Sequence, residues 1–128
     1  MAQFLLDTHT LIWHLTDAHD LSNKVKKNIE NIDNQIVVSI VSFWELAVKI
    51  NIGKLNLNYS LQEIIQEVEQ LGMEVLEIKP THLFHLLDLP LHHRDPFDRL
   101  LIAQAQSEDL VLLSKDENFP LYDVIVSW

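Results

Sequence analysis

The segment His92–Ala105 carries two acidic residues, Asp95 and Asp98, at the start of an apolar helical pattern. The spacing predicts that Asp95 is the N-cap, because its side chain can accept a hydrogen bond from a free backbone N–H of the first turn. Pro96 fits the next position, where its missing N–H costs no hydrogen bond and its φ is already helical. Asp98 then lies in the first turn, where the helix dipole favours a negative charge. Capping needs only one acid, so Asp98 is available for another role.

Three further acids stand near the ends of apolar runs. Asp7 and Asp116 each come just after a short apolar run, and Glu45 lies about one helical turn after another. Such runs are typical of strands that are buried on both faces of a parallel sheet. Sites in open α/β sheets form outside the carboxyl ends of the strands. We therefore expect Asp7, Glu45, Asp98 and Asp116 to converge at one edge of a sheet.

Converging carboxylates determine the chemistry that we expect at this edge. They repel one another, so without a cation at least one of them should be protonated. Mg²⁺ or Mn²⁺ removes the repulsion, because these cations prefer oxygen ligands and bind a few carboxylates together with a substrate phosphate. Such a site can activate water and stabilise an in-line displacement at phosphorus. The four acids thus predict metal-assisted hydrolysis of phosphodiester bonds.

Each acid also has a purely structural interpretation, which the sequence leaves open. The alternatives are strand-end or turn capping for Asp7 and Asp116, an i,i+4 ion pair with Lys49 for Glu45, and an ion pair with Arg94 or Arg99 for Asp98. A histidine metal site is not predicted, because His9, His92 and His93 lack a spaced third ligand. The three tryptophans are interpreted as core or interface residues rather than as platforms for stacked bases: Trp13, Trp44 and Trp128.

The composition bounds the class of protein. The 128 residues, 48% of them hydrophobic, are enough for a single domain with a buried core, which we place at residues 1–128. We expect a cytoplasmic protein, since no apolar run approaches the roughly 20 residues of a membrane span and the N-terminus lacks a basic signal-peptide region. The absence of cysteine excludes disulfides and thiolate metal sites. The net charge of −10 argues against nonspecific nucleic-acid binding but leaves a local basic patch possible.

Apolar periodicity predicts strands that alternate with helices. The predicted strands are Gln3–Leu6, Gln35–Ile40, Glu74–Ile78, Leu110–Leu113 and Val124–Ser127. The predicted helices are Leu21–Ile32, Val41–Ile50, Leu61–Leu71, Thr81–Leu87 and Pro96–Ser107. The helix Val41–Ile50 is apolar almost all round, so we expect it to be largely buried, and Ile32 belongs to the apolar face of its helix. The alternation favours an α/β sandwich around a mainly parallel sheet.

Four pieces of the sequence, taken in order, resemble the PIN-domain ribonucleases and, more narrowly, the VapC-type toxins of bacterial type II toxin–antitoxin pairs. They are FLLDTHTLIW, SIVSFWELAVKINIGKL, HHRDPFDRLLIAQA and LLSKDENF, and they span nearly the whole chain. The resemblance implies a three-layer α/β/α sandwich with a mainly parallel central sheet. It also implies a toxin with Mg²⁺- or Mn²⁺-dependent endoribonuclease activity, a homodimer, and a cognate antitoxin whose C-terminal segment covers the site.

The resemblance assigns roles to the acids by position. Asp7, Glu45, Asp98 and Asp116 match the four acids of the family, with Asp7 and Asp98 as the main metal ligands. Glu45 would complete the inner cluster or orient a metal-bound water, and Asp116 would act directly or through water. The acidic groove would suit a basic inhibitory segment of the antitoxin as well as cations, which accounts for the net charge.

Three other positions match residues beside the acids. Thr8 and Ser39 match small polar positions that would position ligands, and Arg99 would contact a substrate phosphate or pair with an acid. The candidate cations for contacting RNA are Lys24, Lys26, Lys27, Lys49, Lys54, Arg94 and Lys115.

Two other function classes remain as alternatives. The first is a catalytically inactive PIN-like module that binds a protein partner through its acidic face, against which the complete set of four acids argues. The second is a phosphotransfer or receiver-like domain, which also carries acids at strand ends. Asp7 has neither a paired second acid on its strand nor a DxD nucleophile pattern, so this alternative is disfavoured.

Overall fold

Residues 2–128, which a computed structural model describes, form five short strands and six α-helices, with two helices between each consecutive pair of the first four strands. The strands are β1 (Gln3–Leu6), β2 (Gln35–Ser39), β3 (Glu74–Leu76), β4 (Val111–Leu113) and β5 (Val126–Ser127). The helices are α1 (Thr8–Leu15), α2 (Asn23–Glu30), α3 (Ile40–Asn51), α4 (Leu61–Gln70), α5 (Pro80–Asp88) and α6 (Pro96–Glu108). A short 3₁₀ turn at Phe119–Leu121 precedes β5. Within residues 2–128, every helix is too short or too polar to span a bilayer.

The strands form one parallel sheet in the order β3-β2-β1-β4-β5. Central β1 pairs with β2 on one side and with β4 on the other, so that Leu5 lies opposite both Val37 and Leu112. All five carboxyl ends therefore face the same edge. The direction in which strands are added reverses between β1 and β4, and in sheets of this kind a crevice for ligands opens at that point.

Two apolar cores lie on the two faces of the sheet. Alternating residues of β1 separate them, with Phe4 and Leu6 in the core under α1–α4 and Leu5 in the core under α6. Alternation follows from the period of two in a β-strand. Helices cover both faces, so the predicted three-layer α/β/α sandwich with a parallel central sheet is confirmed.

The first helix, α1, is absent from the helices that apolar periodicity predicts. Its first turn contains the β-branched residues Thr8 and Thr10, which have poor helix propensity. Both threonines are nevertheless buried, and the Thr10 hydroxyl donates a 2.8 Å hydrogen bond to the carbonyl of Leu113 at the end of β4. This tertiary contact, together with the cap described below, outweighs the local preference of the sequence.

One prediction of burial is wrong, and a second holds with two exceptions. Ile32 is 96% exposed, because α2 ends at Glu30 and the helical face does not continue to that position. The predicted helix Val41–Ile50 is largely buried, with Trp44 at 47% and Ile50 at 36% exposed as the exceptions. The apolar residues of α3 are more numerous than its packed face can bury.

Candidate active site

The edge at which β1 and β4 end carries one of the two buried acids of the predicted set. Asp7 follows β1 directly and is only 4% exposed. Its backbone N–H donates to the carbonyl of Leu113 at 3.3 Å, which continues the pairing between β1 and β4 by one residue. Asp7 thus lies at the reversal point of the sheet.

Both carboxylate oxygens of Asp7 accept hydrogen bonds from protein groups. Oδ1 accepts from the backbone N–H of Thr10 at 2.7 Å and so caps α1, as the structural interpretation of this residue predicts. Oδ2 accepts from the hydroxyl of Ser114 at 2.5 Å. Burial raises the pKa of Asp7, and the hydrogen bonds from Ser114 and Thr10 oppose that rise. Capping uses only Oδ1 of Asp7. Its Oδ2 contacts Ser114, the residue that follows β4, so capping does not exclude a second role.

Glu45 lies on α3 with 3% of its surface exposed. Its Oε1 accepts a 2.6 Å hydrogen bond from the hydroxyl of Thr8, which is itself 3.0 Å from the Ser42 hydroxyl. Its Oε2 pairs with the ammonium of Lys49 at 2.6 Å, so the predicted i,i+4 ion pair is present. Thr8 is therefore beside an acid, where the resemblance places it.

The surroundings of Lys49 show that this ion pair is part of a larger acidic group. Burial alone would lower the pKa of Lys49, but the hydrogen bond and charge of Glu45, followed by the charges of Asp95 and Asp98, raise it on balance. Lys49 thus supplies a positive charge to acids from two different helices.

Helix α6 places Asp98 as the sequence predicts. Asp95 is its N-cap, and Oδ1 of Asp95 accepts from the backbone N–H of Asp98 at 3.0 Å. The pKa of Asp98 is raised to about 8, first by burial and then by the negative charges of Asp95, Asp116, Glu45 and Asp7 in that order. Acids from four separate segments therefore lie close enough to Asp98 for their charges to raise its pKa. Three of them are the other predicted site residues Asp7, Glu45 and Asp116.

Asp116 is half-buried in the loop after β4. Its Oδ1 accepts from the backbone N–H of Asn118 at 2.8 Å and from the Asn118 side chain at 3.1 Å, so the predicted turn role is present. Its own backbone N–H donates to the Ser114 hydroxyl at 3.0 Å. Ser114, which the sequence analysis did not single out, connects this loop to Asp7.

A polar chain that the sequence analysis missed supports Asp98 from the other side. His93 Nε2 lies 3.2 Å from Oδ2 of Asp98, and His93 Nδ1 lies 2.7 Å from the hydroxyl of Tyr122. Arg99 donates to that hydroxyl at 3.2 Å and to the carbonyl of Pro90 at 2.9 Å. The only sequence signal was that His93 precedes Asp98 by five residues, whereas the contact with Tyr122 comes from the fold.

Arg99 and Ser39 are both held by protein groups other than the four acids. Within residues 2–128, Arg99 forms no ion pair with an acid, because its guanidinium group is held by the carbonyl and the hydroxyl just described. Ser39 is fully buried, accepts from the Val41 N–H at 3.0 Å as the cap of α3, and donates to the side chain of Gln104. Ser39 therefore fixes α3 against α6 and is not exposed to a ligand.

The donor set fits a divalent cation in type and charge. Carboxylate oxygens are the ligands that Mg²⁺ and Mn²⁺ prefer, and the charges of the neighbouring acids contribute to the raised pKa of Asp98. Among residues 2–128, however, no group of three or more His, Asp or Glu side chains is arranged so that it could hold a metal ion. The oxygens instead accept hydrogen bonds from Ser114, Thr8 and Lys49.

Comparison with known proteins gives one family match and a set of similar folds. The family model of the PIN domain matches residues 4–125. VapBC2 from Rickettsia felis, bound to a DNA fragment from its promoter, is similar over 98% of each chain with a TM-score of 0.74 and 16% identity. DNA-bound VapBC from Salmonella typhimurium matches 99% of this chain and 98% of that one, with a TM-score of 0.69 and 19% identity.

A third similar structure is VapBC-5 from Mycobacterium tuberculosis, a member of the VapBC family of toxin–antitoxin systems. It covers 99% of this chain and 97% of its own, with a TM-score of 0.60 and 20% identity. No curated protein is similar enough in sequence to count as a match. At these identities the three structures are similar to this chain in fold.

Proposed function

This chain belongs to the PIN-domain family, and we propose that it is a Mg²⁺- or Mn²⁺-dependent endoribonuclease that acts as the toxin of a toxin–antitoxin pair. The observation that carries the proposal is the group of acids from four segments around Asp98, whose pKa is raised to about 8 by burial first and then by the charges of these acids. Acids with a purely structural role do not need to be buried close to other acids, where their negative charges repel one another. Carboxyl groups with shifted pKa values are instead typical of functional sites.

Asp7 and Asp98 are the residues that we propose as the main metal ligands, with Glu45 and Asp116 acting as further ligands or through water. A bound divalent cation would supply positive charge for the phosphate and lower the pKa of an attacking water. Ser114 would hold Asp7, since it donates to Oδ2 at 2.5 Å. These side chains would have to exchange some of their present hydrogen bonds for the cation.

Two neighbours would keep the remaining carboxylates in place. The Thr8 hydroxyl orients Glu45 through a 2.6 Å hydrogen bond. His93 orients Asp98 from 3.2 Å, and Tyr122 holds the opposite ring nitrogen of His93 at 2.7 Å. Ligands fixed in this way by surrounding hydrogen bonds lose little freedom when a cation binds. We therefore propose Thr8 and His93 as positioning residues.

The proposed partners are an RNA substrate, a cognate antitoxin protein and a second copy of the chain in a homodimer. Two of the similar structures are VapBC complexes bound to DNA, and the third is a VapBC toxin–antitoxin system, which supports the antitoxin. The net charge of −10 suits a basic antitoxin segment that lies over the acidic site. We place the activity in the cytoplasm, together with these partners.

Incubation of the purified protein with structured RNAs tests the proposed reaction. We expect cleavage with Mg²⁺ or Mn²⁺, no cleavage with EDTA, and roughly a hundredfold slower cleavage by Asp98→Asn, because one main ligand is lost. Asp33→Asn is the matched control, since Asp33 is an exposed aspartate outside the acidic group. Cleavage that survives both EDTA and Asp98→Asn would refute the proposed activity.

One observation favours the alternative of an inactive interaction module. Lys49 occupies Oε2 of Glu45, and no metal-binding group of three acidic or histidine side chains is arranged within residues 2–128. Calorimetry separates the two functions. Absence of divalent-cation binding together with tight binding of a basic partner peptide would support the module, whereas cation binding that Asp98→Asn abolishes would support the nuclease.

A further inference from the structure

A small cleft opens directly beside two of the acids. It has a volume of about 200 Å³ and is lined by Asp7, His9, Trp13, Lys115 and Asp116. This volume is below the roughly 300–1,000 Å³ of pockets that enclose a small molecule. The cleft is therefore too small for a whole ligand but large enough for a single flat group that enters from solvent.

The walls of the cleft combine an aromatic ring with a cation. The Trp13 indole faces the imidazole of His9 at a centroid distance of 5.8 Å and meets the edge of Trp128 at 5.7 Å. The Lys115 ammonium lies 5.9 Å from the centre of the Trp13 ring, close to the outer limit of about 6 Å for a cation–π contact. Lys115 is exposed, so its ammonium group can leave the ring for a stronger anionic partner.

We propose that this cleft binds one unpaired nucleotide of RNA, with the base against Trp13 and a backbone phosphate at Lys115. Every base has a π-face, and proteins that bind single strands combine aromatic platforms with positive groups along the backbone. The inference rests on the proposed function, because Asp7 and Asp116 line the same cleft and would place the neighbouring phosphodiester at the acids.

Charge explains why Lys115 matters for such a ligand. The protein has 19 acidic residues against nine lysines and arginines, so its overall field repels RNA. Attraction has to be local, and Lys115 is the positively charged residue among those that line the cleft. Two of the other candidate cations are engaged elsewhere, since Lys26 pairs with Asp17 and Lys49 pairs with Glu45.

The position of Trp13 modifies the interpretation of the tryptophans as core or interface residues. Trp13 packs against the core under α1–α4, but it is only partly buried and also lines the cleft. Trp128 is also partly buried and packs against Trp13, whereas exposed Trp44 meets the edge of Phe97 at 4.7 Å. A packing role alone predicts that loss of the Trp13 ring changes stability and leaves RNA affinity unchanged.

Fluorescence anisotropy with a labelled single-stranded RNA octamer tests the cleft. The measurement is made in EDTA, so that cleavage does not interfere. Trp13→Leu keeps an apolar side chain without a stacking ring, and we expect it to weaken binding about 5- to 150-fold. Trp13→Phe keeps a ring and should bind within a few-fold of the unsubstituted protein.

Substitution of the cation gives a second readout that leaves the core intact. We expect Lys115→Met to weaken RNA binding and to reduce the slope of log affinity against log salt by about one phosphate contact, or about 0.7. The matched controls are Lys79→Met and Phe84→Ala, which remove an exposed cation and an exposed ring away from the cleft. Both controls should bind RNA as the unsubstituted protein does.

Three results would overturn the proposal. The first is absence of RNA binding by the unsubstituted protein, and the second is unchanged affinity and salt slope in folded Trp13→Leu and Lys115→Met. The third is weakened binding of a basic peptide by these variants with no change for RNA, which would assign the cleft to a protein partner. The cleavage assay with Asp98→Asn is independent of these binding measurements. The proposed nuclease activity can therefore be refuted while RNA binding in the cleft is supported, and RNA binding in the cleft can be refuted while the nuclease activity is supported.

Discussion

Replacement of Asp98 by asparagine should make the metal-free protein more stable at pH 8 than the unsubstituted protein. The pKa of Asp98 is raised from 3.8 to about 8, first by burial and then by the charges of nearby acids. The folded state therefore holds this proton more tightly than the unfolded chain does. The neutral Asp98 carboxyl contributes to the free energy of unfolding. This contribution is fully present below the unfolded pKa of about 4 and is lost as the pH rises through the folded pKa of about 8. Asparagine stays neutral and avoids that loss.

The size of the effect follows from the shift and from exposure. A shift of about four pH units corresponds to an upper bound of about 5 kcal/mol, at 1.36 kcal/mol per unit. Solvent reaches the side chain, which is 18% exposed, so screening reduces the gain. We expect Asp98→Asn to gain about 2 kcal/mol over the unsubstituted protein between pH 5 and pH 8, or about 8 °C in Tm for a chain of this length.

Thermal unfolding followed by circular dichroism measures this difference in EDTA across the pH range. Asp33→Asn is the control, because an exposed aspartate should show the same pH dependence as the unsubstituted protein. Added Mg²⁺ should recover the lost stability of the unsubstituted protein at pH 8, since a ligand that binds only the folded state stabilises it. It should stabilise Asp98→Asn much less.

A constant stability difference between Asp98→Asn and the unsubstituted protein from pH 5 to pH 8 would refute this reasoning. That result would mean that Asp98 is ionised throughout the range, so that the neighbouring acids do not act on it as the structure indicates. Lower stability of Asp98→Asn at pH 8 would contradict the sign of the effect.

Three further substitutions test local contacts by urea unfolding. Ser114→Ala removes a donor from the buried carboxylate of Asp7 and should lower the free energy of unfolding by about 1–3 kcal/mol. Equal stability would mean that the hydrogen bond contributes nothing. Glu108→Gln removes the charge that accepts from buried His82 at 2.8 Å. Because the bond with His82 lowers the pKa of Glu108, the loss of about 1 kcal/mol should be complete above pH 4.5 and disappear as the pH falls below the lowered pKa. Gly72→Ala, at φ +74°, should cost about 1 kcal/mol because alanine is strained there, and an unchanged midpoint would contradict that strain.

The acids and the α6 cap could be predicted from sequence because local rules place them. Asp95 and Asp98 have the spacing of a cap and a first-turn residue, and Asp7 follows a strand directly. These positions depend on helix and strand geometry within a few residues. Their convergence follows from one further rule, that the carboxyl ends of parallel strands share an edge.

The supporting residues could not be predicted, because their partners are distant in the chain. Ser114 and Asp7 are 107 residues apart, and Tyr122 lies 29 residues after His93. No spacing rule connects such positions before the fold is known. Helix α1 was missed for a related reason, since the burial of its threonines against β4 decides its conformation.

The measurement that tests the central claim most directly is anomalous X-ray scattering from crystals of the protein soaked in Mn²⁺. We predict a manganese peak within bonding distance of carboxylate oxygens of Asp7 and Asp98, and its loss in Asp98→Asn crystals. Absence of a peak at this edge of the sheet, or an unchanged peak in the variant, would contradict the assignment of these acids as a metal centre.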